Sequence, residues 1–127
     1  MARFTWDHVH LRSPDPDVAA RFYVEMFEAR IVNRIEAPAS LRVVLDLGGR
    51  PVFIERVPPD TASAPKPPYI GLEHIALAVD NLEEAAAAIR QKGGTFAVEP
   101  HSPKPGVTIA FVQCPDGVQV EVLHRST

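Results

Sequence analysis

Four residues of this 127-residue chain have the types and the spacing to hold a divalent metal ion: His8, Glu55, His74 and Glu121. In each half of the sequence, 47 residues separate the histidine from the glutamate. A shift of 66 residues lays Asp7-His8-Val9-His10-Leu11 on Glu73-His74-Ile75-Ala76-Leu77. The same shift lays Val52-Phe53-Ile54-Glu55-Arg56-Val57 on Val118-Gln119-Val120-Glu121-Val122-Leu123. Similar cores would repeat the apolar pattern without needing His and Glu to return with it. Neutral imidazole combined with carboxylate suits a borderline ion such as Ni²⁺, Zn²⁺, Co²⁺ or Fe²⁺, whereas carboxylates alone would suit Mg²⁺. Two carboxylates cancel the ion's charge, and the ion offsets the cost of bringing two glutamates together out of water.

The elements that must position these residues repeat as well, as copies of one supersecondary unit. Residues 6–12 alternate like a strand, with Trp6, His8, His10 and Arg12 on one parity and Val9 and Leu11 on the other. Pro14-Asp15-Pro16 breaks it and opens a helix. Val18, Ala19, Phe22, Tyr23 and Met26 recur at helical spacing up to about Ala29. Strands follow at 30–36, 41–47 and 51–57, with Gly48-Gly49 as a turn. In the second half a strand at 72–79 leads to Asn81 as N-cap, with Glu84 as its capping-box partner. Leu82, Ala85, Ala86 and Ile89 form the buried stripe of a helix that Gly93-Gly94 ends. Strands at 95–99, 107–113 and 118–124 complete the half, with Pro115-Asp116-Gly117 as a turn. The expected fold is therefore α+β: one domain of two tandem βαβββ modules, 4–57 and 70–125, joined by a proline-rich linker at 58–69. Pro100 to Pro105 reads as a local loop.

Alternation also decides which face the candidates share. Ile75, Leu77 and Val79 should pack under the helix, leaving His74, Ala76 and Ala78 on the open side, where the alanines leave room. Val118, Val120 and Val122 take the helix side, and Gln119, Glu121 and Leu123 the open side. Ile54 goes to the core while Phe53 and Glu55 face out with His8 and His10. On that face His10, Arg12, Arg42 and Phe53 are candidate substrate contacts. Arginines can hold an anionic group through paired N–H donors. A half-buried structural histidine, solvated rim arginines and a core phenylalanine are the plain alternatives, and Trp6 has the same two readings as Phe53.

Composition narrows the class. Hydrophobic residues make up 46% and charged residues 23%, the balance of a soluble globular domain. The formal charge of −3, with no Lys/Arg stripe, argues against nucleic acid. A single cysteine, Cys114, excludes an internal disulfide and fits a reducing compartment. Met1-Ala2-Arg3-Phe4 is not followed by an apolar h-region, and no run of about 18 apolar residues exists, so neither a signal peptide nor a membrane span is expected. The expected location is the cytoplasm.

Taken together, these residues resemble the vicinal oxygen chelate superfamily, the group of glyoxalase I, bleomycin-resistance proteins and extradiol dioxygenases. The resemblance covers essentially the whole chain. It is carried by Asp7-His8-Val9-His10-Leu11, Ile54-Glu55, Leu72-Glu73-His74-Ile75-Ala76-Leu77-Ala78-Val79-Asp80 and Pro115-Asp116-Gly117-Val118-Gln119-Val120-Glu121. It implies paired βαβββ modules forming a cupped sheet around one divalent metal ion, and often a homodimer. The small glyoxalase I enzymes use His, Glu, His, Glu in this order, which places Glu121 as the base and Glu55 on the opposite face of the substrate. The implied activity is that of a metal-dependent lyase or isomerase. It would remove a proton next to a carbonyl on a small thiol adduct or oxo acid. Arg12 matches an arginine that glyoxalase I uses near glutathione. Pro59 stands where those enzymes have an asparagine, so the resemblance carries the metal set further than it carries glutathione. The rival readings are an Fe(II)-dependent ring-cleaving oxygenase on the same residues and a non-catalytic drug- or metabolite-binding resistance protein. Only nine aromatic residues are available to line a binding cup for the latter.

Overall fold

In the computed structural model, which describes residues 2–126, the chain divides into two compact units, one ending at Thr61 and one starting at Ala62. The first contains β1 (Val9–Ser13), α1 (Pro16–Phe27), β2 (Arg30–Ala37), β3 (Ser40–Leu47) and β4 (Arg50–Arg56). The second contains β5 (Ile75–Ala78), α2 (Leu82–Gln91), β6 (Phe96–Lys104), β7 (Val107–Gln113), a 3-10 turn at Pro115–Gly117 and β8 (Gln119–Arg125). The sheet orders are β1-β4-β3-β2 and β5-β8-β7-β6. In each unit the first strand runs parallel to the last, and the other neighbours are antiparallel. This is the βαβββ order the sequence predicts, twice.

Local chemistry explains where the helices start and stop. The Asp15 carboxylate accepts from the Val18 N–H at 3.2 Å, and Pro16 occupies the first turn, where its missing N–H costs nothing. Glu28 closes α1 in the left-handed region at φ 58°. Asn81 caps α2 by accepting from the Glu84 N–H at 3.0 Å, as its spacing predicts. Gly93, at φ 87°, lets the chain leave α2, and the Gly94 N–H returns to the Ile89 carbonyl at 2.9 Å.

Each unit has its own core. In the first, Ala19, Ala20, Tyr23 and Met26 of α1 are buried, as are Leu41, Val43, Leu45, Leu47, Val52 and Ile54. In the second, Leu82, Ala86 and Ile89 of α2 are buried, with Ala110, Val112, Val120 and Val122. Alternate residues on the same strands, Phe53, Glu55 and Glu121 among them, are only half-buried, which is the facing that alternation predicts.

Two boundaries differ from the sequence reading. The strands expected from residues 6 and 72 begin at Val9 and Ile75, so His8 and His74 each lie just before a strand rather than within it. Beside β1, Pro51 precedes the first ladder partner, Val52, and has no N–H to extend the pairing toward His8. The expected loop from Pro100 to Pro105 is largely strand, because β6 runs through Pro100 and Pro103 to Lys104. It does so as an edge strand, where proline is tolerated, and with three breaks in register. The Ser102 hydroxyl, 2.7 Å from the Val107 carbonyl and 2.8 Å from that of Lys104, closes the last of them. Residues 58–69 carry no helix or strand. Among the described residues, no helix is long and apolar enough to cross a membrane.

Ile54 is fully buried at the centre of β4. Ile54→Ala is expected to lower the unfolding free energy by about 2–5 kcal/mol, measured by urea denaturation.

Candidate metal centre

The second unit brings His74 and Glu121 together. Ala76 of β5 lies opposite Glu121 of β8 in the parallel ladder, and His74, two residues earlier on the same face, reaches the carboxylate: Nε2 to Oε1 is 3.2 Å. The other ring nitrogen is already committed, since His74 Nδ1 is 2.8 Å from Glu73 Oε1. An ionised carboxylate can only accept, so the neutral tautomer that fits this contact has its proton on Nδ1 and a lone pair on Nε2. Two acceptors then face each other at 3.2 Å, an arrangement that calls for a proton or a cation. Two ligands each ~2.0–2.1 Å from one tetrahedral ion would be about 3.3 Å apart. The donor set therefore fits a divalent ion. Phe111, directly opposite Glu121 on β7, packs edge-on to the His74 ring at 4.9 Å and shields that side.

The first unit repeats one part of this and changes another. His8 Nδ1 is 2.6 Å from Asp7 Oδ2, so its Nε2 is left with a lone pair in the same way. Metal-ligating histidines are oriented by just such a partner on the other nitrogen, often a carboxylate. Asp7 and Glu73 thus hold the two histidine rings, a role that ligand spacing alone does not reveal. The signal was present, since an acidic residue precedes the histidine in both copies.

The glutamate of this unit is placed differently. Glu55 lies opposite Arg12, and His10 lies opposite Phe53. By the 66-residue offset His10 corresponds to Ala76, whose partner is Glu121. The first ladder is therefore two residues out of step with the second. Phe53 takes the place beside the histidine, and its ring stacks on His8 at 3.9 Å and 9°. Glu55 instead engages Arg42, opposite it on β3, whose Nε and Nη2 both approach Oε1 at 2.8 Å. His10 Nε2 is 3.6 Å from the same oxygen. Arg42 also lies over the Phe53 ring, 5.0 Å from its centre.

Of the predicted substrate contacts, His10, Arg42 and Phe53 thus gather around Glu55 and His8, while Arg12 is exposed on the neighbouring strand. Trp6, 76% exposed, is not part of a core. Among the described residues, no group of three or more His, Cys, Asp or Glu side chains converges on one point. Each unit contributes its histidine and glutamate separately.

Comparison with known proteins places these pairs in context. A profile of the Glyoxalase/Bleomycin resistance protein/Dioxygenase superfamily matches residues 5–122. The lactoylglutathione lyase of Escherichia coli O157:H7 is 33% identical over 122 residues, which cover 93% of this chain and 90% of that protein. The crystal structure of glyoxalase I from Zea mays aligns with a TM-score of 0.77 at 26% identity, over 94% of this chain and 44% of the maize chain. The glyoxalase family protein from Enterococcus faecalis aligns with a TM-score of 0.78 at 23% identity, over 94% of this chain and 96% of the other, and shares the fold.

The surroundings of His10 set a pH dependence. Burial, followed by the positive charges of Arg12 and Arg42, holds its pKa below the ordinary 6.5 despite the opposing pull of Glu55. The folded state therefore binds fewer protons at His10 than the unfolded chain. Its contribution to stability is full above pH 6.5 and is lost as pH falls through 6.5 toward the folded value. The His10 imidazole should titrate with a midpoint below 6.5 by NMR. His10→Gln should flatten the stability profile between pH 7.5 and 5, measured by urea unfolding.

Proposed function

The chain belongs to the Glyoxalase/Bleomycin resistance protein/Dioxygenase superfamily, and we propose that it is a metal-dependent lyase or isomerase of the glyoxalase type. The ligand set is the one the sequence repeat names: His8, Glu55, His74 and Glu121. The observation that carries this reading is the contact between His74 Nε2 and Glu121 Oε1 at 3.2 Å, with Nδ1 already committed to Glu73. The Asp7–His8 pair supports it by presenting a second Nε2 prepared in the same way. A bound divalent ion would supply Lewis-acid stabilisation of the negative charge that builds on a carbonyl oxygen when the adjacent carbon loses a proton.

The protein's own residues then divide the work. Glu121 is the base: it takes the proton from carbon and returns it to the neighbouring one, while the hydroxyl proton passes from the first oxygen to the second, turning a 2-oxoaldehyde hemithioacetal into a 2-hydroxythioester. Its neighbours Ala76 and Phe111 bring no positive charge to compete for the carboxylate. Glu55 serves the opposite face of the substrate, and Arg12 and Arg42 favour an anionic one. The E. coli relative, a lactoylglutathione lyase, makes the glutathione hemithioacetal of a 2-oxoaldehyde the first substrate to try. Pro59 makes other thiol adducts the second.

Purified protein loaded with Ni²⁺, Zn²⁺ or Co²⁺ should isomerise a hemithioacetal, followed as thioester absorbance. Glu121→Gln should lower kcat by about 10²–10⁴-fold, the usual worth of a positioned base. Glu73→Gln, which touches no substrate, should weaken metal binding by about 10–100-fold. Failure of the wild type to take up any of these metals would end the metal reading. Uptake without turnover on any thiol adduct would end the lyase reading alone.

A further inference from the structure

The two glutamates related by the repeat do not have the same surroundings. Across the first sheet Glu55 sits in a row between Arg12 on β1 and Arg42 on β3. Across the second, Glu121 sits between Ala76 and Phe111. Arg42 Nε donates to a single oxygen, Oε1 of Glu55, at 2.8 Å, Nη2 makes an ion-pair contact with the same oxygen at 2.8 Å, and His10 Nε2 lies 3.6 Å from it. The approach is therefore end-on rather than fork-to-fork, and Oε2 is left to other partners. The guanidinium is held in place on a second side by the Phe53 ring, at 5.0 Å, and Phe53 is itself stacked on His8. Arg42 and His8 are thus coupled through one aromatic ring, and Glu55 is only 18% exposed.

We propose that Arg42 is a positioning residue that makes the two glutamates unequal: it occupies Oε1 of Glu55, so that this carboxylate can meet a cation with Oε2 alone, whereas Glu121 keeps both oxygens. The proposal rests on the metal reading above and deepens it. A carboxylate that shares its charge with a guanidinium is the weaker ligand of the two, and it is the one that leaves a metal at lower cost. By competing for Oε1 of Glu55, the guanidinium lowers overall affinity in exchange for a Glu55 of fixed orientation.

Co²⁺ titration of the full chain tests this without any substrate. Wild type, Arg42→Met, Arg42→Lys, Glu55→Gln and the Arg42→Met/Glu55→Gln double variant are compared by calorimetry and by the visible absorption of the bound ion. Arg42→Met should bind Co²⁺ roughly tenfold more tightly, the scale on which a unit charge within ~4–6 Å biases a carboxylate. It should also show a weaker visible band, as Glu55 gains a second oxygen for coordination. Arg42→Lys, which keeps the charge but not the paired donors, should retain wild-type affinity while its band moves toward that of Arg42→Met. In the Glu55→Gln background Arg42→Met should change neither quantity. Equal affinity and equal spectra for wild type and Arg42→Met overturn the proposal and leave the metal reading standing. Tightening that persists without the Glu55 carboxylate also overturns it, since Arg42 would then act as a remote charge. Absence of Co²⁺ uptake by every variant removes the metal reading and the proposal with it.

Discussion

In each unit a short first strand has to lie parallel to the last, and the arrangement of the candidate site follows from that pairing. Two parallel strands cannot be joined by a tight turn, so the chain crosses over through a helix and then folds two further strands before it returns. The helix covers one face of the sheet, which sends the apolar parity of both strands inward and the other parity outward. A histidine at the start of the first strand and a glutamate 47 residues later consequently end on the same uncovered face. Val9 and Leu11 against Val52 and Ile54, and Ile75 and Leu77 against Val120 and Val122, hold that geometry from beneath. The polar residues above inherit positions that the apolar ones determine.

Within this shared frame the two units have diverged in electrostatics more than in shape. Both prepare a histidine through an adjacent carboxylate, at 2.6 Å in Asp7–His8 and 2.8 Å in Glu73–His74. They differ in what stands beside the glutamate. Arginines flank Glu55, and small or aromatic apolar residues flank Glu121.

How much of this could be read from the sequence depended on the period of each signal. The strand alternation in Val52–Val57 and Val118–Leu123, the Asn81 cap and the turn glycines are local, and their elements formed as expected. The His/Glu repeat is legible along the chain because it is a matter of identity and spacing. The two-residue slip between β1 and β4 could not be seen. Alternation has a period of two, so a slip of two leaves every side chain on its own face and preserves the burial pattern. The pairing of Arg42 with Glu55 is hidden for a related reason, since cross-strand neighbours depend on register and not on separation along the chain. Proline misled at Pro100 and Pro103 because its penalty in a strand depends on whether the strand is an edge, which only the sheet order reveals.

That same strand has a consequence for how the protein meets others of its kind. The outer rim of β6 is a row of backbone groups with no sheet neighbour beyond it, the sort of surface on which strands from other molecules assemble. Pro100 and Pro103 withdraw two N–H donors from the strand, and its three irregularities keep it from being straight. A strand approaching from outside would find neither a continuous row of donors nor a constant spacing. Prolines and register breaks of this kind are what blunt an edge strand as a template for pairing with another chain.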